Sequence, residues 1–315
     1  IELTGPNRRI LASNFVAITL VVTNFSIGAL AYFCRNHKSL SVIIAAISLL
    51  IPAALWIVPE SPRWLILQKR KTEALRILGK ISKSNKKPMR FIEEIESLQN
   101  STITLYSNNN ESIDLIEILK LFIKKRLYLF RSLILLLNWI ITQVIFYGVS
   151  FFTEKFAGNP YLNFIVSTIL ELFALILILL TTERFGRKVP FTISLGLTGL
   201  SFLIIPILPD MYYNYSTYFA LFGKFCITFS FNLLYTITSE FYPTFMRNSM
   251  TSLLIAIGRF GSISSTYIHV MSDSLKYENL PFLIFGSTSF TAALLFFSFI
   301  PETKDRSLPE NLDEF

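Results

Sequence analysis

Eight stretches of mostly apolar residues punctuate the chain, at 10–33, 40–58, 128–152, 161–182, 189–208, 217–239, 249–271 and 280–300. A helix needs roughly 20 such residues to cross a bilayer core, so the pattern predicts eight membrane-spanning helices. Two are interrupted by single charges, Glu171 in the fourth and Arg259 in the seventh, which weakens their hydropathy signal. Between the second and third stretches lies a long polar segment, 60–126. Its first part, 64–81, reads as an amphipathic helix: Leu65, Leu67, Ala74, Leu75, Ile77 and Leu78 are interleaved with Lys69, Arg70, Lys71 and Arg76. Residues 97–112 are rich in Asn and Ser and read as a flexible linker, and 115–125 is again amphipathic. The spans therefore divide two plus six.

Composition agrees with a lipid-facing surface. The chain is 52% hydrophobic and only 16% charged, with 30 Phe and 13 Tyr, whereas a soluble domain carries about 25% charged residues. The net charge of +8 could mark a nucleic-acid surface, but its distribution says otherwise. Numbering loops alternately, the side that holds the long loop also holds Arg8, Arg9, Arg184, Arg187, Lys188, Arg247, Lys304 and Arg306. The other side holds Arg35, Lys38, Lys155 and Lys276. Basic loops face the cytoplasm, so the long loop and the C-terminal tail are expected there, and no nucleic-acid partner is expected. Two cysteines, Cys34 and Cys226, and two distant histidines, His37 and His269, make neither a disulfide framework nor a metal site. No Gly-rich nucleotide loop is present, so neither a cofactor nor direct ATP coupling is expected. The chain opens on a polar, basic strip at Ile1 and reads as a cut through a larger protein.

Three motifs on the basic side pair an acid with Arg at a helix end: Pro59-Glu60-Ser61-Pro62-Arg63-Trp64-Leu65, Glu183-Arg184-Phe185-Gly186-Arg187-Lys188, and Glu240-Phe241-Tyr242-Pro243-Thr244-Phe245-Met246-Arg247-Asn248. Gly186 permits a tight turn and Pro243 ends a helix. Charges so placed can latch helix ends in one conformation and release them in another. Glu60, Arg63, Glu183, Arg184, Arg187, Glu240 and Arg247 are the candidate gating residues.

These motifs carry a resemblance. The chain resembles the organic ion transporters of the solute carrier 22 family, within the major facilitator superfamily. Thr4-Gly5-Pro6-Asn7-Arg8-Arg9, Asn138-Trp139 with Phe146-Tyr147-Gly148, and Pro301-Glu302-Thr303-Lys304 with Leu308-Pro309-Glu310 extend the similarity end to end. Pro-Glu-Ser-Pro-Arg-Trp and Pro-Glu-Thr-Lys also occur in sugar porters. The Gln-Gln pair of those proteins is absent, with Ile141-Thr142-Gln143-Val144 in its place. The resemblance implies an all-α polytopic membrane protein with helices 5–12 of twelve. Residues 1–59 would end the N-terminal bundle and 60–126 would be a central cytoplasmic loop. Residues 127–301 would form the C-terminal six-helix bundle, and 302–315 a cytoplasmic tail. Substrate would bind near the midplane and the bundles would rock around it.

Charges inside spans are functional candidates by default: Glu171, Lys224 and Arg259. Glu171 and Lys224 either face a substrate or neutralise one another, and Lys224, nearer the outer end, can instead snorkel. Arg259 stands beside Gly258 and Gly261; its alternative is a buried pair with Glu171. The resemblance implies that cation carriers hold Asp at this place and anion and carnitine carriers Arg. A guanidinium suits a carboxylate, although the Lys that anion carriers tend to hold on helix 8 is absent from 172–175. Trp139, Phe146, Tyr147, Phe231 and Tyr235 fall where the family lines its site.

The expected function is transport of small organic ions by alternating access, with an anionic or carnitine-like substrate favoured by Arg259. The protein would be multi-pass in the plasma membrane, with lipid and a coupling ion or counter-substrate as partners. A sugar-porter-type facilitator is the alternative. A membrane-embedded transferase would need a His/Asp or metal constellation that two scattered His do not supply, so an enzyme is not expected.

Overall fold

A computed structural model of the protein describes residues 9–34, 36–49, 60, 65, 70–85, 126–152, 160–209, 213–242, 247–277 and 279–303. The expected linker at 97–112, the amphipathic stretch at 115–125, Arg63 and most of the C-terminal tail lie outside them. Among the described residues the elements are α1 (Arg9–Cys34), α2 (His37–Ser48), α3 (Lys71–Asn85), α4 (Arg126–Phe152), α5 (Pro160–Phe185), α6 (Lys188–Ile204) with a 3₁₀ turn Ile205–Ile207, α7 (Tyr213–Phe241), α8 (Arg247–Leu275) and α9 (Leu280–Phe299). No strand occurs among the described residues.

The chain divides into two compact units, Ile1–Ser13 with Cys34–Glu117, and Asn14–Phe33 with Ile118–Phe315. In the first, the Asn36 side chain caps α2 by accepting from the Lys38 N–H at 3.0 Å. Within the expected amphipathic stretch Leu65 is helical and α3 runs from Lys71; before it, Arg70 forks onto Glu73 (Nη2–Oε2 2.7 Å) and reaches Glu60 at 3.5 Å. Ala74 of α3 is buried, as is Leu65 upstream of it.

The second unit is a helical bundle. Helix α4 packs against α8, α7 and α9; α6 lies against α9 and α7; α5 lies against α7. Its interior holds Leu135, Trp139 and Ile145 of α4, Phe191 and Phe202 of α6, Leu233 of α7, and Phe285 and Phe296 of α9. In lipid the hydrophobic effect does not drive helices together, so close approach through small residues does. A Cβ on Gly199 of α6 would stand 3.0 Å from the Gly286 carbonyl of α9, and one on Gly261 of α8 would collide with the Ile140 carbonyl of α4. Large apolar side chains face outward instead, among them Leu180, Ile193, Phe260, Tyr267 and Phe297, as a bilayer-embedded bundle requires.

Among the described residues, six helices are long and apolar enough to span a membrane. Contrary to expectation, the span with Glu171, Tyr161–Thr182, is the most apolar of them, because one carboxylate is diluted by an otherwise aliphatic helix. Helix α8, rich in Ser and carrying Arg259, falls short of that apolarity although it is 29 residues long.

Candidate functional site

On α4, residues 139, 143, 146, 147 and 150 recur at three- and four-residue spacing and so share one face. On α7, residues 224, 231, 235 and 238 do the same. These faces meet, and the five aromatic residues singled out in the sequence form one contiguous group. Trp139 lies edge-on to Tyr235 at 4.6 Å between ring centroids and to Phe231 at 6.0 Å. Phe146 stacks on Phe231 at 4.7 Å and meets Tyr147 edge-on at 5.3 Å. Trp139 is fully buried, and its indole N–H donates to Thr238 Oγ1 at 2.9 Å. The other four are half-buried.

The three intramembrane charges divide between two arrangements. Lys224 does not snorkel: it is 1% exposed, and its Nζ meets Glu171 Oε1 at 3.1 Å. It also donates to Ser150 Oγ and to the Phe146 carbonyl (3.4 Å), and it lies 3.8 Å from the centre of the Phe146 ring. Arg259 is therefore not the partner of Glu171. Its guanidinium is exposed and donates to the Tyr147 hydroxyl at 2.6 Å, stacking 5.7 Å from that ring. No carboxylate pairs with Arg259 among the described residues. Gln143, one turn from both Trp139 and Tyr147, is fully buried, and both its amide atoms lack hydrogen-bond partners among the described residues; its Cγ lies 3.5 Å from where a Gly258 Cβ would stand. Sequence reading had noted Gln143 only as a departure from a sugar-porter pattern; its placement beside Gly258 is what marks it.

A second charged cluster sits at the α5–α6 turn. Among the described residues, one acid–Arg pair joins two of the motifs. Arg187 reaches Glu240 at the end of α7 (Nη2–Oε1 3.1 Å) and donates through Nη1 to the Thr182 carbonyl. Thr303 Oγ1 donates to the other Glu240 oxygen at 2.6 Å. Glu302 accepts the backbone N–H groups of Arg187 (2.9 Å), Lys188 (3.0 Å) and Thr303 (3.0 Å), which places a carboxylate at the positive N-terminal end of α6. Gly186, with φ of +82°, makes the turn. Glu302 and Thr303 were read only as tail residues; the repeated Pro-Glu motif was their sequence signal. Arg247 donates to the Tyr242 carbonyl at 3.3 Å, and burial pushes the Tyr242 hydroxyl pKa upward. Arg184 is exposed, 5.5 Å over Phe185. The Glu183 side chain lies outside the description. In the other unit, Glu60 faces Arg70, and Arg63 lies outside the described residues.

A family model described as "Sugar (and other) transporter" matches residues 11–315. The chain belongs to this transporter family. Among its curated relatives, solute carrier family 22 member 3 of Rattus norvegicus is 31% identical over 99% of this chain and 54% of its own length. The organic cation/carnitine transporter 2 of Homo sapiens is 30% identical over 99% and 55%. The solute carrier 22 resemblance read from the motifs thus extends across the chain, and the chain spans about half the length of the curated relatives it matches. These relatives are transporters by name and not enzymes. Among solved structures, the proton:xylose symporter XylE bound to 6-bromo-6-deoxy-D-glucose superposes with a TM-score of 0.68 at 18% identity, covering 98% of this chain and 67% of that one. The inward-open xylose transporter XylE from E. coli gives 0.64 at 16%, covering 98% and 66%. The fold of this transporter family member is accordingly the all-α, multi-pass major facilitator fold.

Proposed function

We propose that the protein carries small organic ions across the membrane by alternating access, and that its substrate is anionic or zwitterionic, with a carboxylate as in carnitine. The observation that supports this reading is Arg259: a guanidinium inside a membrane helix, exposed, held toward the aromatic group by Tyr147, with the intramembrane acid Glu171 engaged by Lys224 instead. A charge in that setting costs about 2.5–3.5 kcal/mol on insertion scales, and a substrate carboxylate held through two hydrogen bonds would offset it. The half-buried rings of Tyr147, Phe231 and Tyr235 offer apolar and π contact to the organic portion, and Phe146 presents its edge. The names of the solute carrier 22 relatives support an organic ion over a sugar, and a neutral sugar would leave Arg259 without a counter-charge.

In this reading 1–59 end the N-terminal bundle, 60–126 are cytoplasmic, 127–301 form the C-terminal bundle and 302–315 a cytoplasmic tail, in the plasma membrane. The Arg187–Glu240 contact, with Arg184, Arg247, Glu60 and Arg63 on the same side, latches the cytoplasmic ends of the helices. Each 100 mV is worth about 2.3 kcal/mol per charge with the interior negative, so an anion requires exchange or a coupled ion.

The test is uptake by cells expressing the complete gene. Carnitine or an organic anion should enter faster after preloading with a counter-anion; Arg259→Asp should weaken that uptake and Arg259→Lys retain part of it. Robust uptake of tetraethylammonium, indifferent to Arg259→Ala, would make Arg259 structural and the protein a cation carrier.

A further inference from the structure

We propose that Lys224 is a specificity-determining residue: its ammonium occupies, as a built-in cation, the face of the Phe146 ring that a cationic substrate would otherwise use. The inference rests on the organic-ion reading above and goes on to say how the site discriminates by charge.

Phe146 carries little free π surface. Phe231 lies nearly parallel to it, at 12° and 4.7 Å between centroids. Stacked carbon surfaces touch at about 3.5–4.0 Å, which leaves no gap for an ammonium between the two rings. The Lys224 Nζ, 3.8 Å from the Phe146 centroid, therefore covers the opposite face. What remains of Phe146 is its edge, part of which meets Tyr147. The edge is the positive part of an aromatic quadrupole, so it repels a cation and accommodates a carboxylate.

The ammonium is held there by every donor it has. A lysine offers three N–H groups, and three acceptors surround it: Glu171 Oε1 from α5, Ser150 Oγ from α4 and the Phe146 carbonyl of α4. The Phe146 contact is thus made by the same turn of α4 that fixes the ammonium. Glu171 balances the charge, so the pair excludes a cation by filling the ring face and not by adding net charge. The positive charge left uncompensated in this region is that of Arg259.

This arrangement separates the effect of the pair from that of its charge. The double variant Glu171→Gln with Lys224→Ala keeps the net charge and removes the side chain that covers the ring. With surface abundance measured by biotinylation and uptake measured from the complete gene, the double variant should gain tetraethylammonium affinity by roughly five-fold, the worth of one partly desolvated cation–π contact. Adding Phe146→Leu should erase that gain. In the wild-type background, Phe146→Leu alone should weaken carnitine affinity more than tetraethylammonium affinity, a comparison that does not depend on the double variant reaching the surface. A double variant at the surface with unchanged tetraethylammonium affinity, a gain that survives Phe146→Leu, or a wild-type Phe146→Leu loss larger for tetraethylammonium than for carnitine would each overturn the assignment of Lys224. Absence of saturable uptake of both carnitine and tetraethylammonium by the wild type would instead overturn the transport reading beneath it.

Discussion

The carboxylate of Glu302 rests against the α-carbon of Gly186: a Cβ built there would stand 2.7 Å from Glu302 Oε2, and Gly186 has φ of +82°. A left-handed conformation costs a side-chain-bearing residue about 1–2 kcal/mol, and the carboxylate would have to leave the N–H groups of Arg187 and Lys188. Gly186→Ala should therefore lower the thermal stability of the detergent-solubilised protein by more than Glu302→Gln, which keeps the shape and loses about 0.3–1 kcal/mol of charge–dipole attraction. Equal melting temperatures for the two variants would show that the turn relaxes at no cost.

Arg187 and Glu240 form a largely buried pair, with side chains 12% and 20% exposed. Removing either partner leaves the other charge poorly solvated. Arg187→Gln and Glu240→Gln should each lower stability, and the double variant should recover part of the loss. A double-mutant cycle is expected to return a coupling of about 1 kcal/mol or more. If the pair is a latch between conformations, the single variants should lower maximal uptake with little change in KM. A pure rise in KM would remove the gating role.

Tyr147 holds Arg259 through one charge-assisted hydrogen bond at 2.6 Å. Such bonds contribute about 1.5–3 kcal/mol, part of which is orientation of the guanidinium. Tyr147→Phe should raise the KM for carnitine several-fold at preserved surface abundance, and should have no effect in an Arg259→Ala background. Additive effects of the two substitutions would mean that Tyr147 acts independently.

Gln143 is buried with an unsatisfied amide, and such a group costs about 1–3 kcal/mol relative to a shape-matched apolar residue. Gln143→Met should leave the melting temperature unchanged or raised. A clear drop in stability would show that the amide is hydrogen-bonded in the native protein.

Orientation is checked by epitopes at Ser107 and Phe315, both expected to be reached by antibody only after permeabilisation, since basic loops stay cytoplasmic. Labelling of intact cells at either position would reverse the topology.

Much of the fold was legible in the chain because a bilayer imposes one strong rule: backbone polar groups must be satisfied inside each span, so long apolar runs become helices. The starts of α4 and α9, at Arg126 and Leu280, lie within two residues of those expected from hydropathy alone. The short turn at Gly186 was likewise visible in the residues, whereas Trp139, Phe146, Tyr147, Phe231 and Tyr235 were singled out by the family resemblance. Tertiary structure alone decided the partners. Hydropathy counts Glu171, Lys224 and Arg259 alike, whereas the packing of α5 on α7 brings Glu171 to Lys224 and that of α4 on α8 brings Tyr147 to Arg259. The motifs announced acids and arginines but not that Arg187 would cross 53 residues to Glu240, nor that Glu302 would cap α6. Such contacts depend on helix rotation and register, which are set by where small residues such as Gly199, Gly261 and Gly286 let backbones touch. One-dimensional patterning carries the length and apolarity of each helix; which of its faces meets which neighbour is a property of the assembled bundle.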